Sequence, residues 1–532
     1  MVQAPRLLAN VIDDKARTAP DSPYLLYAES TAQVREGIYK TITWKQFANA
    51  INRAAQWLDE TIPRVGSGRQ TIAYSGANDA RYYILIAAAA KSGHGRITPE
   101  GLATILEEIQ CTAWLYTHGV PSAVEKQQSV NRGSNPETTL FALSTLLAQQ
   151  VCFNKIQMLV PRFLTFFTSG VPKPIYLRNG YLSVWDSWNT IMARHSRQIT
   201  YRHMVNALTV NVCAPQWLAG LAFSLAASAY FGLTTVMLPP DMTAPFDPQL
   251  IMQICQNTGA NSIASPPSLI EEFYNDERAR SFLKNLDFIT YVGAGLNHAV
   301  GDDLAKHTHL FPVIGSTERG ACLSFEPEEA SMWKTFDFVP EMGCRFERVQ
   351  GDQYELHIDR TPQHKLFQCG FYSFPHLESI DTAELYSPVT TENGTRRWIS
   401  CGRRDDLVKL SWLAKFHATH IEDNIAMHAN VGGVFVGGEG REVPYIIIEP
   451  KNHGCIGDPE GFIDKIYQLA VESVNKRDDD EIRIPRETVM LADAALPFKR
   501  TAKMTLLRKE IERDYQYHIE ELYQRRRMVR AA

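Results

Sequence analysis

The chain has 532 residues, more than one compact domain accommodates, so two or three domains are expected. Lys and Arg number 54 against 59 Asp and Glu, and the resulting net charge of −5 excludes bulk electrostatic partners such as nucleic acid or an anionic membrane. Ordinary Gly and Pro usage excludes extensive disorder, and nine scattered cysteines without a CxxC pair exclude a disulfide framework and a cysteine-built zinc site. A reducing, cytoplasmic setting is the expectation. The N-terminal stretch has no signal-peptide core, because Asp13 and Asp14 interrupt it early.

Thr43 and Gln46 have the spacing of a capping box. Trp44, Phe47, Ala48, Ile51, Ala54, Ala55 and Leu58 then recur at helical spacing. Thr71–Tyr74 reads as a strand and Arg81–Lys91 as an apolar helix. A further helix is expected from Thr98-Pro99, then a strand at Cys111–Tyr116. Short apolar strands alternating with helices indicate an α/β fold with a largely parallel sheet. Polar loops are expected at Ser129–Thr138 and Thr390–Arg397. Behind the second loop the character changes. Strands at Val434–Val436 and Tyr445–Ile448 and helices at Pro459–Val474 and Leu506–Met528 suggest a small α+β domain. The expected division is 1–402 and 403–532.

Val205–Pro240 carries no charged residue, and Trp217–Leu238 is long enough to cross a bilayer. Its composition fits a buried element pair better. Ala, Ser and Gly dominate Gly220–Gly232, and Thr234, Thr235 and Val236 follow. A buried helix, a glycine turn and a core strand are expected, with no membrane span.

Four segments carry candidate chemistry. The apolar run Phe163–Phe167 leads into Thr168-Ser169-Gly170, with Lys173 close behind. Hydroxyls, a glycine and a lysine after a strand suit phosphate binding, though a plain Ser/Gly turn has the same composition. The run Leu310–Ile314 leads into Gly315-Ser316-Thr317-Glu318, which can seat a phosphate and offer Mg²⁺ a hard oxygen. Upstream, Tyr291–Leu296 contains Gly293-Ala294-Gly295. His298 stands where a dinucleotide-binding turn needs its third glycine. Gly402-Arg403-Arg404-Asp405-Asp406 marks the composition change. Leu496–Met504 is a basic loop able to carry a lysine to an anionic site.

In this order the segments resemble the adenylate-forming superfamily: acyl-CoA synthetases, luciferases and the adenylation domains of peptide synthetases. The stretches DDKARTAPDSPYLLY, ITWKQFANAINRAAQWL, GANDARYYILIAAAAKSG, ASPPSLIEEF and LYSPVTTENGTRRWISCGRRDD are similar to adenylation domains of fungal synthetase-like carboxylic acid reductases. The resemblance implies a large N-terminal domain of layered sheets and helices and a small mobile C-terminal domain. It also implies activation of a carboxylate by ATP and Mg²⁺ to an acyl-adenylate, followed by capture of the acyl group on a thiol.

Carried over residue by residue, the resemblance gives Thr168, Ser169, Gly170 and Lys173 to the phosphate loop, and Gly293, Ala294 and Gly295 to the adenine side. Thr317 and Glu318 fall at the nucleotide and Mg²⁺ positions, with Glu318 the metal ligand. Glu384 falls where the family has Asp for the ribose hydroxyls, and Arg403 at the second ribose contact. Asp405 matches the hinge and Lys503 the catalytic lysine, with Lys499 its rival. Trp217, Gly220 and Gly315 match the substrate wall, and Trp217 stands where relatives carry a histidine.

The phosphate loop, TSGVPK, is about three residues shorter than the family pattern and so offers fewer backbone donors. That leaves open a non-catalytic, nucleotide-binding alternative. The charge-free block lacks the Asp that amino-acid-activating relatives use against a substrate ammonium, so the implied substrate is a hydrophobic aryl or alkyl acid. No carrier-domain or reductase signature follows the last helix. The expected acceptor is therefore external, CoA or the phosphopantetheine of a separate carrier protein, in fungal secondary metabolism.

Overall fold

The structure is a computed structural model. It describes residues 4–62, 71–75, 77–92, 95–97, 111–116, 139–142, 177–242, 246–404, 407–411, 415–426, 428, 430–475, 482–500 and 506–531. Thr168, Ser169, Gly170, Lys173, Asp405 and Lys503 lie outside the described residues, as do the expected helix at Thr98 and the loop at Ser129–Thr138.

A seven-stranded sheet organises the larger part of the chain. Its order is His309–Val313, Phe288–Val292, Ser262–Ser265, Leu208–Asn211, Thr234–Met237, Pro23–Tyr27 and Lys40–Thr43. All neighbours are parallel except the last pair. Successive residues alternate between two apolar layers. Phe288, Ala264 and Met237 enter one, and Ile289, Ile263 and Val236 enter the other. Both faces are therefore covered, as a parallel sheet requires. A second, four-stranded parallel sheet has the order Gly95–Ile97, Thr71–Ser75, Cys111–Tyr116 and Thr139–Ala142. The third is antiparallel: Thr335–Phe336, Arg396–Arg403, Ser379–Thr390, Gln353–Asp359 and Cys344–Gln350.

The first helices follow their sequence signals. Thr43 Oγ1 accepts from the Gln46 backbone N–H, and Gln46 accepts from the Thr43 N–H, closing the capping box of helix Trp44–Thr61. The seven apolar positions named above are its buried residues. The charge-free block folds into strand Leu208–Asn211, a helical stretch over Leu218–Phe231 and strand Thr234–Met237, with left-handed Gly232 (φ +75°) as the turn. The centre of that helix, Ala222–Ala227, is a π-helical turn. Asn211 donates to Ser224 Oγ at 2.8 Å, and the Tyr24 hydroxyl donates to the Ser224 carbonyl at 2.7 Å. Tertiary partners thus hold the looser turn. Among the described residues no helix is long and apolar enough to cross a membrane.

The Thr390–Arg397 loop is a hairpin turn inside the third sheet. Thr391–Thr395 closes it, with Gly394 at φ +84°. Beyond it come the hairpin Leu407–Lys409/Lys415–His417, the strands Val431–Gly437, Tyr445–Pro450 and Val489–Leu491, and the helices Ala418–Ala426, Pro459–Ile466, Arg508–Asp514 and Gln516–Ala531. Two apolar clusters built from Val408 onward share no member with those built from residues up to Trp398.

Candidate active site

In the seven-stranded sheet Val292 pairs with Val313. The Gly293-Ala294-Gly295 turn and the hairpin carrying Thr317 and Glu318 therefore leave the same, carboxyl-terminal edge from neighbouring strands. Two strands further along, Leu208–Asn211 leads to Trp217 on that same edge. A ligand crevice outside the carboxyl ends of parallel strands is the general arrangement of open α/β sheets. Gly293 (φ +103°) and Gly295 are exposed, and a Cβ on either would meet nothing within 4 Å. The turn thus presents open backbone to the crevice.

The hairpin Gly315–Ser316/Gly320–Ala321 is locked from several sides. A Cβ on Gly315 would sit 2.7 Å from the Gly320 carbonyl oxygen, so the pairing of the two strands demands glycine there. Gly320 (φ +77°) closes the turn against Cys369. The buried Tyr181 hydroxyl donates to the Thr317 carbonyl at 3.0 Å, and burial holds that phenol well above its ordinary range. Thr317 is buried at the tip. The half-buried Glu318 makes no hydrogen bond or ion pair with another described residue. Its carboxylate is a hard oxygen donor of the kind Mg²⁺ takes.

Arg319, the next residue, was not singled out by sequence reasoning. Its side chain is 1% exposed and reaches Glu384 with Nη2 at 3.0 and 2.7 Å from the two carboxylate oxygens. The Tyr386 hydroxyl makes a third hydrogen bond to Glu384, donating at 3.1 Å. A carboxylate has about four acceptor positions, so roughly one remains for a ribose hydroxyl. Arg319 also donates through Nη1 to Cys322 Sγ at 3.0 Å. The one available signal was a charged residue placed directly after the Gly-Ser-Thr-Glu turn.

Glu384 and Arg403 are register partners across Ser379–Thr390 and Arg396–Arg403, so the structure brings the two expected ribose contacts side by side. Arg403 donates to the Thr382 carbonyl at 3.3 Å. The linker is anchored by Arg404, which reaches Glu355 at 2.7 Å and Asp381 at 3.4 Å. Trp217 is half-buried at the start of helix Leu218–Leu221. Gly220 has a packing role, since a Cβ there would lie 2.1 Å from the Ala214 carbonyl oxygen.

Lys499 pairs with Asp514 at 2.7 Å and Glu510 at 3.4 Å, and those carboxylates raise its pKa. It is engaged by its own C-terminal helix. Lys503 lies in the segment between Arg500 and Leu506, which are themselves bridged.

The family described as AMP-binding enzyme matches residues 12–337, and its C-terminal domain matches 405–527. A carboxylic acid reductase of Neurospora crassa is 25% identical over 547 residues, covering 98% of this chain and 51% of its own length. The chain thus spans about half of that relative. Of solved structures, McyG A-PCP complexed with phenylalanyl-adenylate superposes with a TM-score of 0.74 at 11% identity, covering 100% of this chain and 87% of the other. The o-succinylbenzoate coenzyme A synthetase MenE from Bacillus subtilis, in complex with ATP and a magnesium ion, gives 0.68 at 14% identity, covering 94% and 99%. With two matched segments in the expected order, and an α/β fold of a large N-terminal and a C-terminal domain, this chain belongs to the AMP-binding enzyme family of the adenylate-forming superfamily, as a distant homologue of fungal carboxylic acid reductases.

Proposed function

We propose that the chain activates a hydrophobic, non-amino carboxylic acid, aryl or alkyl, as its acyl-adenylate at the expense of ATP, and passes the acyl group to an external thiol of CoA or a carrier protein. The observation that carries this reading is the convergence of the Gly293–Gly295 turn and the Thr317–Glu318 tip on neighbouring strand ends. Beside them stands the Glu384–Arg403 pair, where the family holds the nucleotide.

The chemistry needs positioning and charge stabilisation at phosphorus more than any covalent help from the protein. Mg²⁺ bound through Glu318 would offset phosphate charge. Thr168, Ser169, Gly170 and Lys173 would hold the β and γ phosphates, and Gly293, Ala294 and Gly295 would face the adenine. Thr317 would contact the α phosphate. Lys503 would stabilise the charge that develops as the substrate carboxylate attacks there and pyrophosphate leaves. The part after residue 403 would turn about Asp405 between this step and thiol capture. Trp217 would stand on the acyl side, where the absence of acidic residues favours an uncharged acid chain.

Pyrophosphate release measured across aryl and fatty acids tests the reading. Acid-dependent release is expected, lost in Lys503→Ala and largely kept in Lys499→Ala; silence with every acid sinks it. The short phosphate loop TSGVPK favours a second reading, a nucleotide-binding member without turnover. ATP binding by calorimetry with no acid-dependent pyrophosphate would select it.

A further inference from the structure

At the amino ends of the parallel strands, opposite the crevice, three side chains from three segments converge. His203 belongs to the 3₁₀ turn Thr200–Met204, His309 opens strand His309–Val313, and Glu326 follows the Gly320–Ala321 strand. His203 Nε2 lies 3.1 and 3.0 Å from the Glu326 oxygens, and His309 Nδ1 lies 2.8 Å from Glu326 Oε1. All three ligating atoms fall within 4.8 Å of one another, and no other trio of His, Cys, Asp and Glu among the described residues does so. We propose that His203, His309 and Glu326 form a binding site for a divalent transition-metal ion, zinc by preference.

The donor set argues for that class. Two imidazole nitrogens and one carboxylate suit zinc and its neighbours, whereas Mg²⁺ and Ca²⁺ take oxygen ligands. Bonds of about 2.0–2.1 Å in a tetrahedron place ligand atoms about 3.3 Å apart; the imidazole-to-carboxylate spacings are already close to that, and the two imidazole nitrogens lie within 4.8 Å of each other. The site is also held in place. The Thr200 N–H donates to the Ser324 carbonyl at 3.2 Å and the Glu326 N–H to the Gln198 carbonyl at 2.8 Å, so the two loops are laced together by backbone. The His203 ring lies 5.7 Å from Phe311 and 6.0 Å from Phe288, centroid to centroid, and packs against both. Glu326 and His203 are mostly buried, while the His309 side chain is 59% exposed and gives an ion a way in.

The position makes the ion a brace rather than a reagent. His309 stands at the amino end of the strand whose carboxyl end leads to Gly315. At about 3.3 Å per residue the five-residue strand separates the two ends by more than 10 Å. A bound ion would tie the 3₁₀ turn, the sheet edge and the segment after the hairpin together without touching Glu318.

The test uses the full chain stripped with EDTA, titrated with Zn²⁺ in a calorimeter and with Co²⁺ in a spectrophotometer. One equivalent of each is expected, with a cobalt spectrum free of a thiolate charge-transfer band. Zn²⁺ should raise the Tm. His309→Ala, at an exposed position, and Glu326→Gln, which keeps shape, should each weaken binding by more than about tenfold and abolish the Tm rise. Even partners beyond the ligands are worth about 10–100-fold. No uptake, a thiolate band, or affinity unchanged in both variants overturns the proposal, and the trio is then a metal-free ion-pair cluster.

Discussion

At the scale of single residues, the Arg319–Glu384 pair decides most. Both groups are withdrawn from water, and such a pair is costly to break from one side because the survivor stays buried and charged. Arg319→Leu is expected to destabilise the fold by about 3–5 kcal/mol in urea melts. The double variant Arg319→Leu/Glu384→Leu should recover most of that loss. Cys322 provides a pH signature. A hydrogen bond with Cys344, against the opposing effect of burial and helped by Arg319, brings its thiol down to about 7. A depressed folded-state pKa contributes stability that is complete above the unfolded value, near 9, and lost as pH falls through about 7. Relative to Cys322→Ser, the wild-type Tm should therefore rise as pH is raised from about 7 towards 9.

At the scale of elements, the helices were legible because their signals are local. Thr43 and Gln46 lie three residues apart, and the buried face of Trp44–Thr61 repeats within one helix. The charge-free block could be read the same way, as helix, glycine and strand. The antiparallel third sheet was not legible. Its strands pair through distant contacts, and its hairpin Thr390–Arg397 looks in sequence like a surface loop. Arg319 was hidden for the same reason, since its partner is 65 positions away. His203 and Glu326 meet across 123 positions. Gly220 and Gly315 were assigned to a substrate wall, yet each is also required by a carbonyl oxygen that leaves no room for a Cβ. Gly320→Ala tests the hairpin as an element. It combines a left-handed φ with a Cβ 2.4 Å from that of Cys369, and should cost about 2–4 kcal/mol in a denaturation melt.

At the scale of the whole molecule, the junction is the point of leverage. Arg404 ties the start of the linker to Glu355 and Asp381 on the third sheet, and the Gln353 amide meets His417 at 3.0 Å across it. Arg404→Ala removes the cation between two carboxylates while leaving every apolar cluster intact. Limited proteolysis should cut the variant faster next to residue 404, with global stability changed by no more than about 1 kcal/mol. An unchanged cleavage rate would mean that the junction is held by other contacts.

The bond between Arg319 and Glu384 has a further consequence for how the crevice meets a ligand. It fastens the hairpin tip of one sheet to a strand of another, so the two walls hold their spacing before anything binds. Little chain entropy is then left to lose on association, and the binding free energy reflects contacts rather than ordering. The same fastening limits adaptation: a nucleotide that fits must do so without prying the walls apart. Selectivity on this side of the crevice is that of a fixed gauge, and under the proposed function any adjustment to different acids would come from the far side, around Trp217.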